Sequence, residues 1–220
     1  MINLTKSVFR KRSLTIAAFM TVLIASAPAY NLVATYLGAK AGSGSFTRES
    51  SNGNVVKKMA AILYIKGVSS YVNDETTYDS RGAISKDVLI DKRAGTNVSL
   101  TTTMSSKGAQ VTGIVNGKKI SRFVDIPLDE RTANASNLWW ITIRPKLGTV
   151  VVASVFDVQT STWKVNTITY KADQKITIDN KQVLAHRIFI RSRTDQQEIW
   201  EDNNGNLLKF VSGPLVLKKQ

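Results

Sequence analysis

The chain has 220 residues, 43% of them hydrophobic, with no cysteine, a single histidine and a formal charge of +14. That is enough apolar material for one real core. The missing cysteines exclude disulfides, thiol nucleophiles, iron–sulfur clusters and thiolate zinc sites, and the lone His186 excludes a metal centre built on several imidazoles from one chain.

Basic residues at Lys6, Arg10, Lys11 and Arg12 precede an uncharged run from Ser13 to Ala39. Ala27-Pro28-Ala29 has the small-x-small form of a signal-peptidase site, so residues 1–29 are expected to be a signal peptide. The alternative is an N-terminal hydrophobic helix serving as membrane anchor. Leu14 to Ala29 makes about 24 Å of helix and an extension to Leu37 about 36 Å, against roughly 30 Å of hydrocarbon. Both readings place the rest of the chain outside the cytoplasmic membrane, in the periplasm or beyond. Residues 30–54, rich in Gly and Ser, read as a linker. They carry no Gly-Lys-Ser/Thr phosphate-loop ending.

From residue 55 to 220 the pattern is that of an antiparallel β domain. "VVKKMAAILYIKG" fits strand or helix. Then come "YVNDETTYD", "ISKDVLID", "NVSLTTTM", "AQVTGIV" and "KKISRFVDI", separated by "SRGA", "KRAG", "SSKG" and Asn116-Gly117. Asn-Gly is a strong hairpin signal because both turn positions must accept positive φ. Connections this short join antiparallel neighbours and leave no room for crossover helices. The polar stretch 127–137 is the longest loop expected, between two sheets or two halves of one. "LWWITIRP" and "VVVASVF" resume the strands. The second is apolar on both faces and is expected to be central and covered on both sides. "STWKVNTITYKA", "KITID", "VLAHRIFIRSR", "EIWED" and "NLLKFVS" complete the series.

The expected fold is therefore all-β, a strongly curved antiparallel sheet forming a half-barrel or open barrel, with a β-sandwich as the alternative. "DNNGN" reads as a turn. A calcium loop of the EF-hand type needs alternating carboxylates and a Glu at the twelfth position, and no Glu follows Asp202. No metal site and no cofactor are expected.

His186 shares a strand face with Leu184, Ile188 and Ile190, and no Gly-x-Ser-x-Gly elbow marks a nucleophile. Carboxylates at Asp74-Glu75, Asp125 with Asp129-Glu130, and Glu198 with Glu201-Asp202 fall at expected turns and strand ends, where charge is solvated. Trp139, Trp140, Trp163 and Trp200 are the better binding candidates. Trp139 and Trp140 face opposite sides of a strand, and Arg144 lies on the face of Trp140, where it can hold an anionic group. With His186 these six residues form the candidate ligand-binding set. Basic residues past position 12 are scattered. Nucleic acid, which calls for a clustered stripe, is not the expected partner, whereas an anionic membrane surface is compatible.

The pattern from "SNLWWITIRPKLGTVVVASVFD" through "NKQVLAHRIFIRSRTDQQEIWEDNNGNLLKFV" resembles exported bacterial β-proteins of unknown function. In these a W-x-D-x-x-G-x-L hairpin ends a meander, here Trp200, Asp202, Gly205 and Leu207. The resemblance spans about residues 75–217. In outline such proteins are similar to the periplasmic lipoprotein carriers, whose curved sheet cups an acyl chain. The resemblance implies an apolar cavity and supplies no catalytic residue. The expectation is a non-enzymatic envelope protein binding a lipid or other amphipathic ligand. The alternatives are an assembly factor for an envelope protein partner and a hydrolase of an envelope polymer.

Overall fold

The computed structural model describes residues 25–26, 29–127, 145–193 and 195–220. The signal or anchor segment, apart from Ala25, Ser26 and Ala29, and residues 128–144, with Trp139, Trp140 and Arg144, lie outside them. Among the described residues no helix is long and apolar enough to cross a membrane.

Every described element is a strand. In chain order they are β1 (Ala25–Ser26), β2 (Tyr30–Tyr36), β3 (Ala39–Ser51), β4 (Asn54–Ile65), β5 (Val68–Tyr78), β6 (Ile84–Arg93), β7 (Thr96–Met104) and β8 (Gly108–Val115). There follow β9 (Lys118–Asp125), β10 (Val150–Asp157), β11 (Thr162–Ile178), β12 (Lys181–Arg191), β13 (Gln196–Glu201), β14 (Leu207–Ser212) and β15 (Leu215–Lys219). They form one open antiparallel sheet in the order β10-β11-β12-β13-β14-β15-β2-β3-β4-β5-β6-β7-β8-β9, with β1 pairing beside β3. The two-sheet sandwich is not formed. Short connections keep the strands of β2–β9, and those of β10–β15, beside their sequence neighbours, and β15 pairs with β2 to join the two runs within the same sheet.

Hairpin chemistry explains the regularity. Asn116 and Gly117 have φ of 49° and 80°, and Asp179 and Asn180 have φ of 48° and 62°. Consecutive positive φ values are the twist that joins antiparallel strands through a two-residue loop. "DNNGN" is a longer connection, with positive φ at Gly205 alone: Asp202 Oδ1 accepts from the Asn204 and Asn206 amides at 2.8 and 2.9 Å, and Oδ2 accepts from Asn206 Nδ2 at 2.8 Å. The carboxylate is used up by its own turn.

The linker expected over residues 30–54 is instead strands β2 and β3. Its glycines serve close approach rather than flexibility. A Cβ on Gly42 would lie 2.0 Å from Ile62 O, and one on Gly44 would lie 2.5 Å from Ala60 O. Only glycine lets β3 sit this close to β4. The "VVKKMAAILYIKG" segment is strand β4.

The sheet curls over on itself. Trp163 Nε1 of β11 donates to Val124 O of β9 at 3.4 Å, although these strands lie at opposite ends of the order. Ala153 and Ile168 pack with Ile188, Val55 and Tyr78, while Phe156 and Trp163 pack with Leu89, Leu100 and Val111. Ala153 and Phe156 are three residues apart in an unbroken strand, so they point to opposite faces. The second half of β10 is thus covered on both sides, as its apolar pattern predicts. It is not a central strand, however: β10 and β9 are the two ends of the hydrogen-bonded path.

Candidate functional site

The inner wall of β5 carries the polar groups. Period-two alternation puts Asp74, Thr76 and Tyr78 on one face, opposite Met59, Lys57 and Val55 of β4. Asp87 of β6 stands opposite Thr76. Facing them across the fold are Ile168 of β11, Ile190 of β12, Ile199 and Glu201 of β13, and Phe210 of β14. Between the two walls is a cavity of about 330 Å³. That volume lies at the lower end of the range of small-molecule sites. Most of its lining is apolar, including Phe46, Met59, Ile84, Val155 and Ile168. A second cavity of about 220 Å³ shares Ile84 and Val155 with it and runs to Trp163 and Met104.

Two polar arrangements stand at or beside the apolar wall; Lys57, Asp74, Thr76 and Glu201 line the cavity, and Asp87 does not. Lys57 Nζ meets Glu201 Oε1 at 2.6 Å, with side chains only 11% and 5% exposed. The pair ties β4 to β13 across the cavity, and the Lys57 ammonium also stands 5.8 Å from the Tyr78 ring centroid. Burial of two charges is tolerated here because each neutralises the other. Burial, followed by the nearby Glu201 charge, holds the Tyr78 phenol well above its ordinary range.

The second arrangement is an acid pair. Thr76 Oγ1 donates to Asp87 Oδ2 at 3.2 Å, and Asp74 lies two residues before Thr76 on the same face of β5. Burial pushes the proton affinity of Asp74 up, and it does the same for Asp87, which the Asp74 charge raises further. A threonine hydroxyl has one proton to give. Asp74 Oδ1 is buried with no hydrogen-bond partner among the described residues.

This corrects the expectation that these acids sit solvated at turns and strand ends. Asp74 is mid-strand on the inner wall, and Glu201 ends β13 at only 4% exposure. The sequence signal was phase. In "YVNDETTYD", Asp74 alternates with Val72, Thr76 and Tyr78, and in "DVLID", Asp87 and Asp91 alternate with Leu89.

The three described members of the candidate set go to three different places, none on the wall of the larger cavity. His186 Nδ1 lies 2.6 Å from Asp173 Oδ1, and Nε2 lies 2.8 Å from Asn203 Oδ1. The Tyr170 hydroxyl donates to the same Asp173 oxygen. Burial works to raise the Asp173 pKa, but the bonds from Tyr170 and His186 outweigh it and hold it below the usual carboxylate range. Both ring nitrogens are engaged, so His186 ties β11 and β12 to the β13–β14 turn, and among the described residues no serine is a hydrogen-bond partner of His186. Trp200, on the face opposite Ile199, donates Nε1 to Gln174 Oε1 at 3.0 Å. Its ring is flanked by Lys209 Nζ at 4.4 Å and Arg187 Cζ at 5.5 Å. Trp163 stands edge-on to Phe156, with ring centroids 5.2 Å apart, and lines the smaller cavity. Among the described residues no three metal-ligating side chains gather.

No protein-family model matches the chain, and no curated protein matches it in sequence. Among solved structures the chain is similar to the crystal structure of a beta-barrel-like protein of domain of unknown function DUF1849 from Brucella abortus. The two share 9% identity at a TM-score of 0.56, over 87% of this chain and 94% of that one. The likeness is one of fold, to a protein whose own function is unknown.

Proposed function

We propose that this protein is a non-enzymatic, exported envelope protein that takes an amphipathic ligand, such as a lipid, into the cavity between β3–β6 and β10–β14. The observation that carries the reading is the apolar-lined space of about 330 Å³, which shares Ile84 and Val155 with a second space lined by Trp163. Transfer of an apolar chain into such a space is worth about 25 cal/mol per Å² of surface removed from water. The polar groups on the same wall supply orientation, which an apolar wall alone does not. The basic and apolar N-terminal segment supports export.

Native mass spectrometry of the protein isolated without detergent from membrane and periplasmic fractions tests this. A stoichiometric, solvent-extractable amphiphile is the expected result. Ligand-free protein that co-purifies with another envelope protein would move the reading to an assembly factor. Turnover of an envelope polymer that is lost in Asp74→Asn or Asp87→Asn would move it to a hydrolase, for which those two carboxyls supply an acid–base pair.

A further inference from the structure

We infer that one rim of the sheet docks on an anionic lipid surface. Hairpins alternate between the two ends of a meander, so β2–β3, β4–β5, β6–β7 and β8–β9 all turn at the same end. Register keeps their tips level: Ser70 pairs with Arg93 and Val98 with Val115. The Asn97 amide donates to Asn116 Oδ1 at 2.7 Å, which joins two of the tips. The β14–β15 turn sits beside them, because the Leu37 amide donates to Pro214 O at 3.1 Å. These turns gather Lys40, Lys66, Lys92, Arg93, Lys118 and Lys119, all exposed, from places that look scattered in the sequence. Asp91 is the acid beside them, and it is buried and paired with Arg93 at 3.2 Å. The β12–β13 connection at this end adds Arg191 and Arg193 against Asp195. The opposite end is mixed: Asp79 pairs with Arg81 at 2.9 Å, Asp179 precedes Lys181, and Lys107 and Asp202 occupy two further turns.

Cations alone would suit any polyanion. Leu37, Tyr64, Val68 and Ile114 stand among them, with Leu37 and Tyr64 75% and 64% exposed. Leu37 is the telling residue. Its φ is 51°, a conformation that the other described turns give to Asn, Asp, Ser, Lys or Gly, because a bulky side chain is strained there. The leucine is present for its side chain and not for the turn. Apolar tips set among cations fit the boundary of a bilayer, where ammonium and guanidinium groups meet phosphate and the apolar side chains leave water. The cavity residues of β4 and β5, among them Lys57, Met59, Asp74 and Tyr78, lie toward the opposite end of those strands. Docking through the rim therefore leaves the cavity clear, and the inference is independent of what the cavity holds.

The chain has no cysteine, so one fluorophore can be placed at each end in turn. Full-length Ala39→Cys, at the rim, and Ser80→Cys, at the opposite end, each carry a nitrobenzoxadiazole label, which brightens on leaving water. They are titrated with vesicles of phosphatidylcholine alone or with phosphatidylglycerol added. The Ala39 label is expected to brighten on the anionic vesicles and stay dim on phosphatidylcholine, with the Ser80 label dim on both. Adding Lys66→Gln, Lys118→Gln and Lys119→Gln should raise the lipid needed for half-maximal brightening about 10- to 100-fold. Leu37→Asn, which suits the turn better and so keeps the fold, should raise it about tenfold. The N-terminal segment enters beside Ser80, since β1 pairs with Glu49 and Ser50. An orientation set by that segment would brighten the Ser80 label and overturn the inference. Equal brightening of both labels, an equal response to both vesicles, or variants that titrate like the parent would also overturn it. So would an Ala39 label that stays dim on every vesicle, and its brightening on a DNA duplex instead would make the partner a nucleic acid.

Discussion

Two polar clusters in this molecule use similar residues to opposite ends. Around His186 the ring is fully engaged: Asp173 takes bonds from Tyr170 and His186, both imidazole nitrogens are occupied, and the Asp173 carboxyl is held in its charged form. On the inner face Thr76 donates to Asp87, Asp74 Oδ1 is left without a partner, and burial pushes both acids toward their protonated forms. The first cluster is a finished joint between strands. The second leaves a buried acceptor without a partner among the described residues, on a wall that the proposed reading gives to a ligand.

The comparison can be broken most forcefully at the ion pair beside the acid pair. Glu201→Ala leaves Lys57 charged and buried without a counter-ion, a loss of about 3–5 kcal/mol. Urea denaturation should show the midpoint fall accordingly. Replacing both partners, Lys57→Met with Glu201→Met, removes the orphaned charge and should restore most of that loss. If the double variant is as unstable as the single one, the pair acts through its hydrogen bonds and not through compensation of charge.

The acid pair itself makes a prediction of opposite sign. Both folded-state pKa values are raised, that of Asp87 to about 7. The stability contributed by a raised acid is fully present below the unfolded carboxylate value, near 4, and is lost as pH climbs through the folded value. The ligand-free protein should therefore lose stability between about pH 4 and pH 7, by an amount on the order of 2 kcal/mol. The Asp74→Asn, Asp87→Asn double variant should flatten this slope and be the more stable protein at pH 8. A wild-type melting temperature that rises steadily across this range, with no difference in the variant, would show that these carboxyls are not desolvated.

His186→Ala removes two hydrogen bonds from the saturated cluster and should cost about 1–2 kcal/mol at neutral pH, read from thermal melts. Asp173 has a lowered pKa, so the stability it contributes is present above the ordinary carboxylate range and fades as pH drops through its folded value. The gap between wild type and His186→Ala should accordingly narrow in acid. Asn203→Ala, which removes only the bond at Nε2, is the smallest effect, roughly 0.5–1 kcal/mol. It should leave probe binding in the cavity unchanged. A loss of binding in either variant would join the two clusters functionally and erase the contrast between them.

Much of the meander is legible because hairpin turns announce themselves. Asn116-Gly117 and the Asp202 turn fall where the residues place them, and the strands between Val68 and Asp125 follow the alternation. Strands β2 and β3 are hidden because Gly42 and Gly44 look like flexibility, when their purpose is to let two backbones approach. The site is harder to read. A tryptophan is conspicuous in sequence, yet Trp200 is buried on the opposite face of its strand and Trp163 braces the overlap of the two sheet ends. The informative residues are modest: an Asp in phase with the apolar face of β5, a second in phase on β6, and Lys57 and Glu201, 144 positions apart. Their partnership depends on how far the sheet curls, which no local pattern states.

The central claim is that the space between the two walls holds an apolar body. The most direct measurement is a fluorescence titration with N-phenyl-1-naphthylamine, which brightens on leaving water, using wild type and a Met59→Trp variant that fills the cavity from β4. The account predicts saturable, one-to-one binding to wild type and its loss in a folded Met59→Trp protein. Undiminished binding in that variant, or none in wild type, would contradict it.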